Sequence, residues 1–119
     1  MNSILIKTDQ DSKVDEEKVK LWAEEALKKY SFKNCQLSIA FITSEKIRSL
    51  NRDYRKLDKA TSILSFYQGQ AAPNGIQVLG DIVICLPIAK EKNLSIKFLI
   101  DHGIRNLLSE ISTIKSQGT

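Results

Sequence analysis

The chain has 119 residues, enough for one compact domain that buries roughly two thirds of its unfolded surface without disulfide or metal staples. Its 42% hydrophobic and 27% charged residues are those of a globular protein, and no apolar run approaches the roughly 20 residues that cross a bilayer. The net charge of +4 points only weakly to an anionic partner such as nucleic acid, and the opening MNSILIKTDQDSK has neither the apolar stretch nor the cleavage site of a signal peptide.

Ser3 to Lys7 (SILIK) begins the chain with a short apolar strand. Asp15 is placed to cap a helix whose stripe is Val19, Trp22, Ala23, Ala26, Leu27 and Tyr30, at spacings of three and four. Cys35 to Thr43 partly alternates, with Leu37, Ile39 and Phe41 on one face, and predicts a second strand. Ser44 is expected to cap a short helix through Ile47, Leu50 and Tyr54. Thr61 to Tyr67 predicts a third strand, and Gly69 to Val78, with two glycines and a proline, a loop. Gly80 to Leu86 is nearly all apolar after Asp81, as a buried central strand would be. Pro87 ends it and opens a short helix. Ser95 caps a last helix with stripe Ile96, Leu99, Ile100, Leu107, Leu108 and Ile111, and the tail KSQGT is expected to fray. This order predicts a single α/β (α+β) domain over residues 1–119, a four-stranded sheet covered by helices, with strand order left open. Cys35 and Cys85 lie in apolar runs without the spacing of a metal clamp. They read as small buried hydrophobes in a reducing cytoplasm, a disulfide between them being the alternative.

Positive charge gathers in RSLNRDYRKLDKA, where Arg48, Arg52, Arg55, Lys56 and Lys59 fall within twelve residues, diluted by Asp53 and Asp58. Spacings of four and three put Arg48, Arg52 and Arg55 on one helical face. Guanidinium groups suit phosphate oxygens and stack on bases, and Tyr54 adds an aromatic. The competing reading is a solvated helix end whose cations complement the dipole. QGQAAPNG lacks the Lys-Ser or Lys-Thr pair of a phosphate loop, and Gly80-Asp81 enters a strand, so no dinucleotide fingerprint is present. Nor is there a CxxC or a Ser-His-Asp spacing. His102, in HGIRNLLSEIS, is the one histidine.

Three pieces in order, LNRDYRKLDKATSILSF (Leu50 to Phe66), LGDIVI (Leu79 to Ile84) and DHG (Asp101 to Gly103), resemble the YbeY family of bacterial rRNA maturation endoribonucleases. The family pattern reads roughly LNxxYRxxDxPTDVLSF, then GDIxI, then HGxLHLxGYDH. The resemblance spans nearly the whole chain. It implies a small zincin-like fold and a single-strand endoribonuclease of rRNA maturation and ribosome quality control. It further implies zinc held by three histidines at the first, fifth and eleventh positions of the last motif. Three protein ligands leave zinc an open position at which bound water becomes a nucleophile. The arginine of the YR pair, here Arg55, would engage RNA phosphate. The catalytic residues implied are thus His102 and Arg55, with Arg48, Arg52, Arg55, Lys56 and Lys59 as the RNA-binding set. The partners implied are rRNA or other single-stranded RNA and ribosomal small-subunit proteins in the cytoplasm, without DNA or membrane.

This chain departs from the pattern at the metal. His102 occupies the first ligand position, but Asn106 and Ser112 occupy the second and third, and neither is a useful zinc ligand. Glu110 lies two turns along the helix from His102. Ser109, Glu110 and Ile111 replace the GYD turn, which would let the helix continue where the family turns back. Ala60 stands for the usual proline and Ser62 for the usual acidic or amide residue. An RNA- or ribosome-binding relative without the zinc site is the alternative function. A basic domain with a protein partner is the third.

Overall fold

The computed structural model describes residues 2–9, 13–72 and 74–117, with the backbone alone over 112–117. Among them the order is β1 (Ser3–Thr8), α1 (Glu16–Lys29), β2 (Cys35–Phe41), α2 (Ser44–Arg55), β3 (Ile63–Ala71), β4 (Gln77–Ile84), α3 (Leu86–Glu91) and α4 (Ile96–Gln117). The four strands form one sheet in the order β1-β2-β4-β3. β1, β2 and β4 run parallel, and β3 returns antiparallel along β4 as an edge strand.

Alternation along β2 divides the core. Cys35, Leu37, Ile39 and Phe41 are buried, and with Ile82 and Ile84 of β4 they meet Val19, Ala23 and Leu27 of α1 and Leu99, Ile100, Ile104 and Leu107 of α4. A bulge at Leu79, which has no partner between Val78 and Gly80 in the β2 register, turns that side chain into the same core. The opposite sheet face carries a smaller cluster in which Ile47 of α2 meets Leu64, Val83 and Cys85. Helix α2 covers only part of this face. Beside it lies a cleft of about 390 Å³ whose lining includes Lys7, Ser38, Ala40, Tyr54, Phe66 and Asp81.

The predicted caps of α1 and α4 are present: Asp15 accepts from the Lys18 N–H at 3.2 Å, and Ser95 Oγ from the Phe98 N–H at 3.1 Å. At α2 the cap is Thr43, whose hydroxyl accepts from the Lys46 N–H, and Ser44 is the first helical residue. A second correction concerns Gly69 to Val78. β3 runs to Ala71 and β4 starts at Gln77, so most of this stretch is a hairpin with a bulge after Tyr67. The backbone of Lys115 to Gln117 continues α4; Gly118 and Thr119 lie outside the described residues. No helix among the described residues is long and apolar enough to cross a membrane.

Two glycines set how closely elements approach. A methyl group on Gly80 would overlap the carbonyl oxygen of Phe66 across the β3–β4 ladder, and Gly80 has φ +154. One on Gly103 would lie 2.9 Å from Ile82 Cδ1 and 3.1 Å from Ile63 Cδ1. Gly80→Ala therefore combines backbone strain with a clash against main chain, and it is expected to cost about 3 kcal/mol or more in urea unfolding. Both cysteines are free and buried, at 2% and 0% exposure, and burial pushes the Cys35 thiol up. Cys35 and Cys85 are therefore expected to react with a thiol reagent only as fast as the core opens, with both titrating at once in denaturant.

Candidate functional site

The basic segment ends α2 and turns toward β3. Asn51 is buried, and its side-chain amide donates to the Lys59 carbonyl at 3.0 Å, which fixes the turn. Lys56 closes the helix in the left-handed conformation, its N–H bonded to the Arg52 carbonyl. Within this frame the five cations differ in kind. Arg48 is held by Asp58 through two hydrogen bonds, of 2.8 and 3.3 Å. That contact raises the Arg48 pKa and lowers that of Asp58. Arg52 lies 3.4 Å from Asp53. Arg55, Lys56 and Lys59 are exposed, and among the described residues none has a carboxylate partner.

Arg55 Nη2 donates to the carbonyl oxygen of Ser65 on β3 at 3.2 Å. The guanidinium is thereby held against the edge strand while most of its donors remain for an oxyanion. Next to it Tyr54, 68% exposed, meets Phe66 edge to face at 5.4 Å between ring centroids. Asp81, which lines the cleft, is hydrogen-bonded to Gln68.

Helix α4, which carries His102, packs on the same strand from the other side of the sheet. Asp101 fastens α4 to α1 by accepting from Lys29 Nζ at 3.1 Å and from the Tyr30 hydroxyl at 3.0 Å. The hydroxyl of Ser65 donates to the Gly103 carbonyl at 3.3 Å. Ser65 therefore ties Arg55, through its carbonyl, to the residue that follows His102, through its hydroxyl. His102 is half-buried, and its ring stacks on Phe98 with centroids 5.9 Å apart and planes 12° from parallel. Arg105 Nη2 lies 3.3 Å from His102 Nδ1. A guanidinium only donates, so Nδ1 accepts, and the proton of the neutral ring sits on Nε2.

These donors do not fit the zinc site that the sequence resemblance implies. One ring nitrogen of His102 is engaged by a cation. Asn106, a turn further on, is exposed, and Glu110 is about 12 Å along the helix axis. The side chain of Ser112 lies outside the described residues. Among the described residues no three His, Cys, Asp or Glu side chains come together to hold a metal ion. Helix α4 runs on through Ser109, Glu110 and Ile111, as the loss of the GYD turn leads one to expect.

Sequence reasoning passed over Asn51, Ser65, Asp101, Phe98 and Arg105. The first two act through hydrogen bonds that spacing does not reveal. Phe98, His102 and Arg105 stand at i, i+4 and i+7 of one helix, and that signal was readable.

Residues 5–109 match the family model described as Endoribonuclease YbeY. The chain is 37% identical over 115 residues to the Endoribonuclease YbeY of Aquifex aeolicus, covering 90% of this chain and 75% of that protein. With that of a Sulfurihydrogenibium species it shares 34% over 116 residues, covering 90% and 76%. Among solved structures it resembles the solution structure of TM1509 from Thermotoga maritima, with a TM-score of 0.54 and 24% identity over 87% of this chain and 71% of that one, a likeness of fold. Because the family match takes in nearly all of the chain and both relatives exceed 30% identity across most of their own length, this protein belongs to the YbeY endoribonuclease family.

Proposed function

We propose that the chain acts on single-stranded stretches of rRNA precursors, in the cytoplasm, beside small-subunit ribosomal proteins. Endonucleolytic rRNA maturation is the function of its family. The observation that carries the reading to this chain is Arg55, exposed, without a carboxylate partner among the described residues, and held by the Ser65 carbonyl at the sheet edge. Lys56 and Lys59 extend its positive field along the turn. Phosphate contacts of this kind position a strand without reading its sequence.

Binding without cleavage is the second reading, and the donor set around His102 favours it. Arg105 stands 3.3 Å from His102 Nδ1, and no His, Cys, Asp or Glu cluster that could hold a metal ion forms around the ring among the described residues. Elemental mass spectrometry on protein purified without chelator or metal-affinity tag is expected to find far less than one zinc per chain. Cleavage of a single-stranded rRNA fragment that requires added divalent metal and stops in chelator would favour the first reading; tight binding with the fragment intact in the presence of metal would favour the second.

Affinity for single-stranded RNA is expected to fall steeply with salt. Arg55→Ala should weaken it about tenfold and reduce the salt slope by about one. Arg48→Ala, removing a charge already matched by Asp58, should change it by less than about threefold. Equal losses at the two positions, read by fluorescence anisotropy, would remove Arg55 from its assigned place.

A further inference from the structure

The single histidine sits in a setting that a zinc ligand would not have. Phe98 precedes it by one turn and Arg105 follows it by nearly one, on the same side of α4. Phe98 is a large aromatic left 52% exposed, its ring lying nearly parallel to the imidazole. Arg105 is exposed, touches Nδ1, and has no carboxylate partner among the described residues. The family pattern carries leucine at this position and histidine at the next. Here the two are Arg105 and Asn106. A fixed cation of the protein thus stands beside His102 where the pattern would assemble ligands for a metal cation.

We propose that Phe98, His102 and Arg105 form a metal-free binding platform for a nucleotide of single-stranded RNA, the base stacking on the exposed ring of Phe98 and the phosphate held by Arg105. The proposal rests on the RNA reading above and adds to it a second contact site, distinct from the α2 segment. Each part matches the ligand. An exposed aromatic face accepts any base, because every base has a π-face. The imidazole behind Phe98 limits how that ring turns. The guanidinium gives Nδ1 one N–H and keeps its others for phosphate oxygens, while the Nε2–H of His102 adds a further donor. No acidic side chain pairs with Arg105 among the described residues, and the chain carries a net +4. Duplex RNA, its bases already stacked, offers this surface only phosphate.

The test is fluorescence anisotropy with a labelled single-stranded oligouridylate, in EDTA throughout, against a duplex RNA of the same length. Phe98→Ala and Arg105→Ala are each expected to weaken single-strand binding about five- to fiftyfold. Phe98→Trp should retain it, and Arg105→Ala should reduce the salt slope by about one. Duplex binding should be indifferent to Phe98→Ala. Both side chains are exposed, and circular dichroism melting of each variant confirms the fold. If both alanine variants bind like the parent while Arg55→Ala is weak, the platform is wrong and the RNA reading survives. If the parent itself binds no single-stranded RNA, both fall. Binding absent in EDTA that appears only in a parallel titration without EDTA and with zinc added would also overturn the proposal.

Discussion

Helix α4 can approach the sheet only as closely as residue 103 allows, and most of the site follows from that distance. With glycine there, the helix backbone settles onto Ile82 and Ile63. The Gly103 carbonyl then comes within reach of the Ser65 hydroxyl. Ser65 belongs to the edge strand whose carbonyl receives Arg55. On the far side of the helix Asp101 takes hydrogen bonds from Lys29 and Tyr30, which sets the rotation of α4 about its axis. Rotation and distance together leave His102 half-buried and Phe98 in solvent. In this chain Gly103 and Gly80 are thus packing devices first: Gly80 does for the β3–β4 ladder what Gly103 does for the helix.

Much of this architecture was legible in the residues. The alternation of Cys35, Leu37, Ile39 and Phe41, and the stripe of Val19, Ala23, Ala26 and Leu27, name the two surfaces that meet in the main core. The hairpin was not legible, because Gly69, Pro73 and Gly75 within seven residues read as a loop. What admits a strand there is a bulge after Tyr67, matched by the unpaired Leu79 of β4, and register shifts leave no periodic trace. The cap of α2 was misplaced by one residue, since Thr43 and Ser44 are both good caps and only the hydroxyl's contact with the Lys46 N–H separates them.

At the site, composition identified the basic segment but not its division of labour. Five cations in twelve residues look alike on the page. Asp58 is ten residues from Arg48 in sequence and becomes its partner only because the buried amide of Asn51 bends the chain back through Lys59. That turn matches the charge of Arg48 and leaves Arg55, Lys56 and Lys59 facing outward. Screening in water weakens an exposed pair such as Arg48–Asp58, but it does not free the guanidinium's fork for a second anion while both carboxylate oxygens hold it.

The changes at the C-terminal motif are physically coherent with one another. Without the GYD turn, α4 continues through Ser109 to Ile111, and a continuous helix carries residue 112 ten positions, about 15 Å, from His102. Asn106 would then leave His102 as the one ligand, and the imidazole needs another partner to fix its tautomer. Arg105 supplies it from the solvent side and Phe98 stacks on the ring. Where the family pattern places metal ligands, this chain sets a guanidinium beside the imidazole, and a guanidinium matches a phosphate well. RNA contact at this face is compatible with that exchange.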